Sequence, residues 1–549
     1  MLKAKLITSL EKVFPEGMQE GYEIKELKGC SGETVSFQIA YQWQNMLKSY
    51  GQIQIEGSKE LLDQLTVRQV ELVPSEYPWP SDGDEEYLKK EPGLYPDLLR
   101  DLPDLGFILV PGQWRSLWFT VELPKQPGNY EIAVNMKADE GAEGEGNEFH
   151  AVLPVQVLAQ ELPQVDVRHT EWFHGDCLAD YYQVEVFSEE HWRILENFLA
   201  VAAKRSCDTI LTPLFTPPLD TKVGGERKTI QLIDVKKTGD TYQFGFEKLD
   251  RWIDMCQRCG FTHFEMSHLF TQWGAKAAPK IMVEENGQLH REFGWETPAT
   301  GEAYASFLKQ FLPELAEHLK KMGLQDKVFF HISDEPEWEQ KEDYGAARAL
   351  VKPYIEGFQM LDALSHYDFY ETGLLEQPVC GMDHLTPFLE KRPEKLWTYY
   401  CCAQKKEVPN RFFAHHSGKN RILGVILYLY QLDGFLQWGY NFYNSQYSLY
   451  NLNPYQSTDA GCGFPSGDSF LVYPGKDGKP EESIRIMVLE EAFSDLRFLY
   501  RAEKELGREK VEEIIRQTAG MDVTWKKYPY APQFFVNLRE NIYRELKNC

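Results

Sequence analysis

Asp334 and Glu335 stand side by side at the end of an apolar run, Phe329-Phe-His-Ile-Ser-Asp-Glu-Pro-Glu-Trp338, and no other residues in the chain are better suited to chemistry. Lys327 to Ile332 reads as a strand, and Pro336 suits the first turn of a helix and little else in regular structure. At the C-terminal end of a barrel strand, two neighbouring carboxylates can divide between them the proton-donating and charge-stabilising roles that cleavage of a sugar acetal requires. The same residue types also have a purely structural use. Carboxylates ahead of a proline cap exposed N–H groups and favour the positive end of a helix dipole.

The elements around the pair favour the chemical reading. To about Pro163 the chain reads as antiparallel β: Thr34 to Trp43 and Leu65 to Val73 alternate, and Trp114 to Leu123 and Tyr130 to Met136 are joined by the turn signal Pro-Lys-Gln-Pro-Gly-Asn. Gly141 to Asn147 reads as a Gly/Glu-rich hairpin tip. Strands at this spacing without helices between them predict a β-sandwich over 1–163. Strand and helix then alternate. Strands are expected at Thr170–Asp176, Asp208–Phe215, Thr262–Phe270, Lys327–Ser333, Phe358–Leu364, Pro378–Gly381, Leu396–Cys402 and Gly434–Tyr440. Helices are expected between them, with a hairpin insertion at Thr229–Gly245 and an irregular loop after the third strand. Eight such alternations over 167–480 predict a (β/α)₈, TIM-like barrel, and 481–549 reads as a helical extension packed on its exterior. The fold class is therefore multi-domain α/β. A doubly wound sheet would carry a glycine-rich phosphate loop, and the chain has neither GxGxxG after its first strand nor GxxxxGK[ST].

Composition narrows the partners. The 549 residues are 43% hydrophobic and 13% aromatic, enough for large cores, and the formal net charge of −26 argues against nucleic acid and anionic membranes, which need a basic surface. No stretch approaches the apolar length of a membrane span, and Met1 to Glu16 lacks the apolar run of a signal peptide, so a cytoplasmic protein with reduced thiols is expected. Cys256 and Cys259 form a CxxC at the end of a helical pattern with no second pair; they read as structural, as do Cys401 and Cys402.

In a barrel, the strand ends supply the rest of the site. These are Trp172, His174 and Asp176 on the first strand, His268 on the third with Trp273 close behind, Tyr399 and Tyr400 on the seventh, and Trp438, Tyr440 and Asn441 on the eighth. Aromatic faces suit pyranose rings, and Asp, Asn and Tyr suit their hydroxyls. Trp172 and Trp438 suit a core layer of the barrel equally well, and the two histidines suit structural roles. No HxH or HExxH spacing supports a metal, adjacent His415 and His416 cannot face one ion from a helix, and no GxSxG or Cys–His arrangement supports acyl transfer.

Three stretches resemble glycoside hydrolase family 123, whose known members are β-N-acetylgalactosaminidases: His331-Ile-Ser-Asp-Glu-Pro, Asp433-Gly-Phe-Leu-Gln-Trp-Gly-Tyr-Asn, and Phe470-Leu-Val-Tyr-Pro-Gly followed by Ser483-Ile-Arg and the charged helix of Glu490, Glu491 and Asp495. The resemblance runs from about Trp114 to Leu499. It implies that Glu335 is the general acid and Asp334 the group that orients the substrate's own 2-acetamido group. That group would attack the anomeric carbon and form an oxazolinium, with retention and without metal or organic cofactor. The implied partner is an oligosaccharide or glycoconjugate carrying a β-linked N-acetylhexosamine, GalNAc first. A charged Asp334 is expected to raise the pKa of Glu335. Two other readings stand beside it: a glycosidase for a non-acetamido sugar with Asp176 or Asp383 as nucleophile, and a non-catalytic carbohydrate-binding protein.

Overall fold

The computed structural model describes residues 1–18, 21–139 and 146–548, so most of the expected hairpin tip at 141–147 lies outside the described residues. Ten strands form the N-terminal part. One antiparallel five-stranded sheet runs in the order Leu2–Thr8, Thr34–Trp43, Trp114–Glu122, Leu65–Ser75, Gly93–Asp101. The second runs in the order Leu27–Ser31, Glu148–Glu161, Gly128–Ala138, Ser49–Gly57, Gly106–Leu109. Alternate residues of both sheets, among them Phe37, Ile39, Phe119, Ile53, Val134 and Val155, close on one another in a single apolar core.

Eight parallel strands then close into a barrel in chain order: β1 (Arg168–Glu171), β2 (Thr209–Thr212), β3 (His263–Met266), β4 (Val328–Phe330), β5 (Gln359–Leu364), β6 (Gln377–Gly381), β7 (Trp397–Tyr399) and β8 (Gly434–Gln437), with β8 pairing back onto β1. Their residues divide by parity. Leu211, Phe329, Leu361, Val379, Trp397 and Leu436 point inward and fill the barrel. Ile210, Phe264, Phe330, Leu364, Cys380 and Phe435 point outward into a larger core under the helices. Gly434 is required by this packing, because a Cβ there would lie 2.3 Å from the Trp397 ring.

Most strands are shorter than their apolar runs suggest. The first ends at Glu171, and Asp176 falls in the first turn of the helix Gly175–Tyr181. The helix Glu189–Lys204 begins with the Ser188 hydroxyl accepting from the His191 N–H at its N-terminus. One element was missed. Ile281–Glu285 and Gln288–Phe293, inside the segment read as an irregular loop, pair around Asn286-Gly287 and join the hairpin Asp234–Thr238/Thr241–Gly245 in a four-stranded sheet.

The C-terminal helices Ile484–Leu506, Arg508–Ala519 and Pro532–Asn548 pack on the barrel helices and also reach the sandwich. Gly424 lets the helix Leu423–Leu429 approach so closely that a Cβ would sit 1.9 Å from the Ala492 carbonyl oxygen. Arg485 donates to both oxygens of Asp97 on the sandwich, at 2.8 and 2.9 Å, and to the Gly467 carbonyl at 2.8 Å; both side chains are buried. Glu482 likewise accepts from Arg68 of the sandwich and from Arg205 of the barrel (Nε at 2.5 Å). Among the described residues no helix is long and apolar enough to cross a membrane. Arg485→Ala leaves Asp97 buried without its cation and is expected to cost about 3–5 kcal/mol of stability. The check is the urea midpoint, and a loss below about 1 kcal/mol would mean the ion pair contributes little.

Candidate active site

The C-terminal ends of the strands surround a cavity of about 170 Å³. Asp334 and Glu335 enter it from the segment after β4, Tyr399 from the end of β7, and Trp172 and Trp438 from just beyond β1 and β8. The pair does not start a helix. The chain continues irregularly to Trp338, and the cap of the next helical turn is supplied by Glu337, whose N–H donates to Gln340 Oε1 at 2.9 Å. Glu335 instead adopts φ = +44°, a left-handed conformation that an L-residue with a long side chain avoids. Such a conformation costs on the order of 1–3 kcal/mol and persists where the surroundings enforce it. Here the Glu335 N–H donates to the Ala363 carbonyl on β5 at 3.1 Å, and the Asp334 carbonyl accepts from the Trp273 N–H at 2.8 Å.

The two carboxyls have different surroundings. Glu335 Oε1 accepts from the Tyr399 hydroxyl at 2.6 Å, which partly offsets the upward pull of burial on its pKa; Glu337 and Asp383 add to that pull. Asp334 has no such donor, and burial followed by the Glu335 charge holds its pKa well above the carboxylate range. Burial thus favours the neutral form of both carboxyls, while the phenol favours the anion at Glu335, a bias against the expected placing of the proton there.

The aromatic walls are fixed by hydrogen bonds. Trp172 Nε1 donates to Glu265 Oε2 at 3.0 Å, and Trp438 Nε1 donates to Asp468 Oδ2 at 3.0 Å. Burial raises Asp468 to about 7. The wall contributed by the loops after β2, β3 and β8 was not read from the sequence beyond Trp273. Asp220 organises it, with its N–H donating to Gln272 Oε1 at 2.6 Å and its Oδ2 accepting from the Tyr447 N–H at 3.0 Å. Burial raises Asp220 to about 6. Trp273, Tyr447 and Asp220 all have positive φ without being glycine. Cys401 and Cys402, read as structural, also line the cavity.

Six of the expected site residues do not line it. His174 is buried, its Nε2 on the Trp438 carbonyl at 2.8 Å and its Nδ1 facing Arg227 at 3.1 Å; burial and that guanidinium lower its pKa to about 3. Asp176 is held bidentately by Arg227, at 2.7 and 2.8 Å. Tyr400 and Tyr440 point away from the barrel interior and donate to Asn420 Oδ1 at 3.3 Å and the Phe198 carbonyl at 2.9 Å. Asn441 bonds both backbone groups of His174. His268 lies under the cavity floor, stacked on His331 with ring centroids 4.5 Å apart. Of the two alternative nucleophiles, Asp176 is thus engaged, and Asp383, which also lies off the cavity, accepts from Gln404 at 2.9 Å. His268, His331 and Asp362 offer atoms within 4.8 Å of one another, a spacing that could hold an ion, but His331 already uses both nitrogens toward carboxylates.

A barrel of parallel strands with an acidic pair and fixed tryptophans at its C-terminal mouth is the arrangement of a glycoside hydrolase. Residues 172–501 match the catalytic-domain model of glycoside hydrolase family 123, and the chain belongs to that family. A family 123 glycoside hydrolase from Clostridium perfringens, solved to detail glycolipid glycan hydrolysis, superposes over 100% of this chain and 98% of its own, with TM-score 0.73 at 16% identity. Two other solved structures overlap only in part. These are a PapD-like domain of human CEP192 (11% identity, 25% of this chain and 86% of that one, TM-score 0.14) and a DUF4466 family protein from Parabacteroides merdae (11%, 29% and 45%, TM-score 0.17). No curated protein matches the sequence.

The state of Asp334 has a consequence for stability. A carboxyl with a higher pKa folded than unfolded costs nothing below its unfolded value and costs progressively more as pH rises above it. Asp334→Asn, which imitates the neutral acid, is expected to unfold like the wild type near pH 4 and at progressively higher temperature than the wild type toward pH 8. A gap that stays constant across the series would contradict the buried-charge account.

Proposed function

We propose that this family 123 hydrolase is a retaining, exo-acting β-N-acetylhexosaminidase with GalNAc as its leading sugar, working by substrate assistance. The observation that carries the reading is that Asp334 and Glu335, adjacent in the chain, both line one cavity about the size of a single sugar ring. Protonated Glu335 donates to the glycosidic oxygen as the C1–O bond breaks. The acetamido carbonyl oxygen attacks C1 and forms the oxazolinium while its N–H donates to the Asp334 carboxylate. The Glu335 carboxylate then takes a proton from water, which attacks C1 from the face the leaving group vacated. No enzyme nucleophile is needed across the ring, so the usual separation of paired carboxylates does not apply. Substrate also corrects the proton order, because an amide N–H offered to Asp334 favours its ionised form and leaves the proton to Glu335.

The action of the Clostridium relative on glycolipid glycans supports a glycan terminus as substrate. The domain division at 163–167 and near 480 is proposed with it, the sandwich and tail bracing the barrel. For a non-acetamido sugar the cavity would need another nucleophile. Asp220 is the carboxylate it offers, and one of its oxygens is committed to Tyr447.

The test is hydrolysis of matched aryl β-glycosides of GalNAc, GlcNAc, galactose and glucose. Turnover is expected for the acetamido sugars only, with Glu335→Gln lowering kcat by about 10²–10⁴ at near-constant affinity. Asp334→Asn should penalise the acetamido substrates; equal activity on galactose or glucose in the wild type would overturn substrate assistance. Tyr399→Phe removes the donor that holds Glu335 down, so the descending limb of kcat against pH is expected to move to higher pH. A limb that stays put would take Glu335 out of the acid role.

A further inference from the structure

Beneath the cavity floor lies a buried cluster that the proposed reaction leaves without a task. His331, on the segment leading from β4 to Asp334, is fully buried, as are Glu265 on β3 and Asp362 on β5. Its Nε2 lies 2.8 Å from Glu265 Oε2 and its Nδ1 lies 3.3 Å from Asp362 Oδ1. Ionised carboxylates only accept, so an imidazole that faces one at each nitrogen needs a proton on both. The carboxylates are fixed in turn. Glu265 Oε2 also accepts from Trp172 Nε1 at 3.0 Å, and Asp362 accepts from the Ile332 N–H at 3.0 Å and the Tyr344 hydroxyl at 2.7 Å. No lysine or arginine among the described residues pairs with either one. The ring is therefore their countercharge, and without it two carboxylates would stand uncompensated in the barrel interior.

We infer that His331 is a positioning residue, a permanently charged imidazolium clamped between Glu265 and Asp362 that draws Asp334 into its carboxylate form when substrate binds. The catalytic part of this inference rests on the proposed reaction. Two residues separate His331 from Asp334, and its charge acts on Asp334 against burial and against the charges of Glu335, Asp362 and Asp220. Glu335 is set instead by Tyr399, Glu337 and Asp383. The imidazolium therefore favours the Asp334 anion, against burial and the neighbouring carboxylates. His268 fits the same account. Stacked on His331 at 4.5 Å, with neither ring nitrogen hydrogen-bonded, it is held neutral by burial and by the neighbouring charge. A neutral ring over a charged one avoids repulsion, and Trp172 packs T-shaped beside both rings, with centroids 5.1 Å from His268 and 5.8 Å from His331. Burial opposes the charge on His331, but the two carboxylates prevail and raise it to about 9.

Two measurements test this, and the first does not depend on activity. Neutron diffraction from deuterated wild-type crystals at pH 7.5 is expected to show deuterons on both Nδ1 and Nε2 of His331. A ring with one deuteron, or one whose nitrogens coordinate a divalent cation, would overturn the inference whatever the substrate. The second is the pH dependence of kcat, which reports groups in the substrate complex. In His331→Gln the ascending limb, set by Asp334, is expected to move up by about 1–3 pH units, a loss of roughly 10- to 1000-fold at the acid end. KM should change far less. A lower profile with an unmoved limb would reduce His331 to a packing role. If the glutamine variant does not fold, Glu265→Gln, which keeps the ring and removes one of its carboxylates, must move the same limb. A wild type inactive on every acetamido sugar would sink the proposed reaction and leave the deuteron count to decide the charge.

Discussion

Consecutive side chains of an extended strand point to opposite sides, so two adjacent carboxylates at a strand end cannot both enter one pocket unless the backbone turns between them. Here it turns at Glu335, where φ is +44°. The surrounding structure holds that turn from two directions. β5 accepts the Glu335 N–H through Ala363, and the loop after β3 donates its Trp273 N–H to the Asp334 carbonyl. The barrel supplies both contacts because β4 is flanked by β3 and β5. A strained residue is thus distributed onto two neighbouring strands, and the loop that braces Asp334 also contributes the Trp273 side chain to the cavity wall.

Below the cavity, Glu265 and His331 turn inward with the same parity as Tyr399, Glu265 in register with the apolar Leu211 and Phe329, and Asp362 on β5 completes the charged layer. A wholly apolar floor would raise both carboxyls by desolvation and keep them neutral. One imidazolium between two carboxylates leaves the layer with a net negative charge but puts its positive member on the strand that carries Asp334. Desolvation favours the neutral acids, and the imidazolium favours one particular anion. The pocket needs both influences if one carboxyl is to be an acid while its neighbour is a base.

How much of this could be read in the sequence depends on whether a feature is local. The parallel strands were legible because Phe358–Leu364, Pro378–Gly381 and Leu396–Cys402 are apolar runs between helical patterns. Their ends were not, since an apolar run marks burial and not hydrogen bonding. The run through Trp172 reaches Asp176, yet β1 stops at Glu171. Parity was illegible for the same reason: Tyr399 and Tyr400 are alike in type, and only the barrel's curvature decides that the first faces the cavity. The sheet formed by Ile281–Glu285 and Gln288–Phe293 did carry a signal, the Asn286-Gly287 dipeptide, which favours a two-residue hairpin because both positions take positive φ. The Asp220–Tyr447 wall carried none. Its contact spans 227 residues, and the turn residues near Asp220 and Tyr447 mark loops without saying that the two loops meet.

The placement of the proton ties the fold to the chemistry. With the cavity open, Tyr399 favours the Glu335 anion, and among the described residues no side chain lining the cavity donates to Asp334. That bias runs against the acid role proposed for Glu335. A ligand able to reverse it must bring a donor to Asp334 and an acceptor to Glu335. In the proposed reaction a β-linked 2-acetamido sugar brings both on adjacent carbons, the amide N–H at C2 and the glycosidic oxygen at C1. A sugar with a hydroxyl at C2 brings a weaker and less directed donor, and leaves the attack on C1 to a nucleophile the cavity does not readily supply. Under the proposed reaction, selection for the acetamido group and generation of the acid are one event, and the strained backbone at Glu335 is what brings both carboxyls to it.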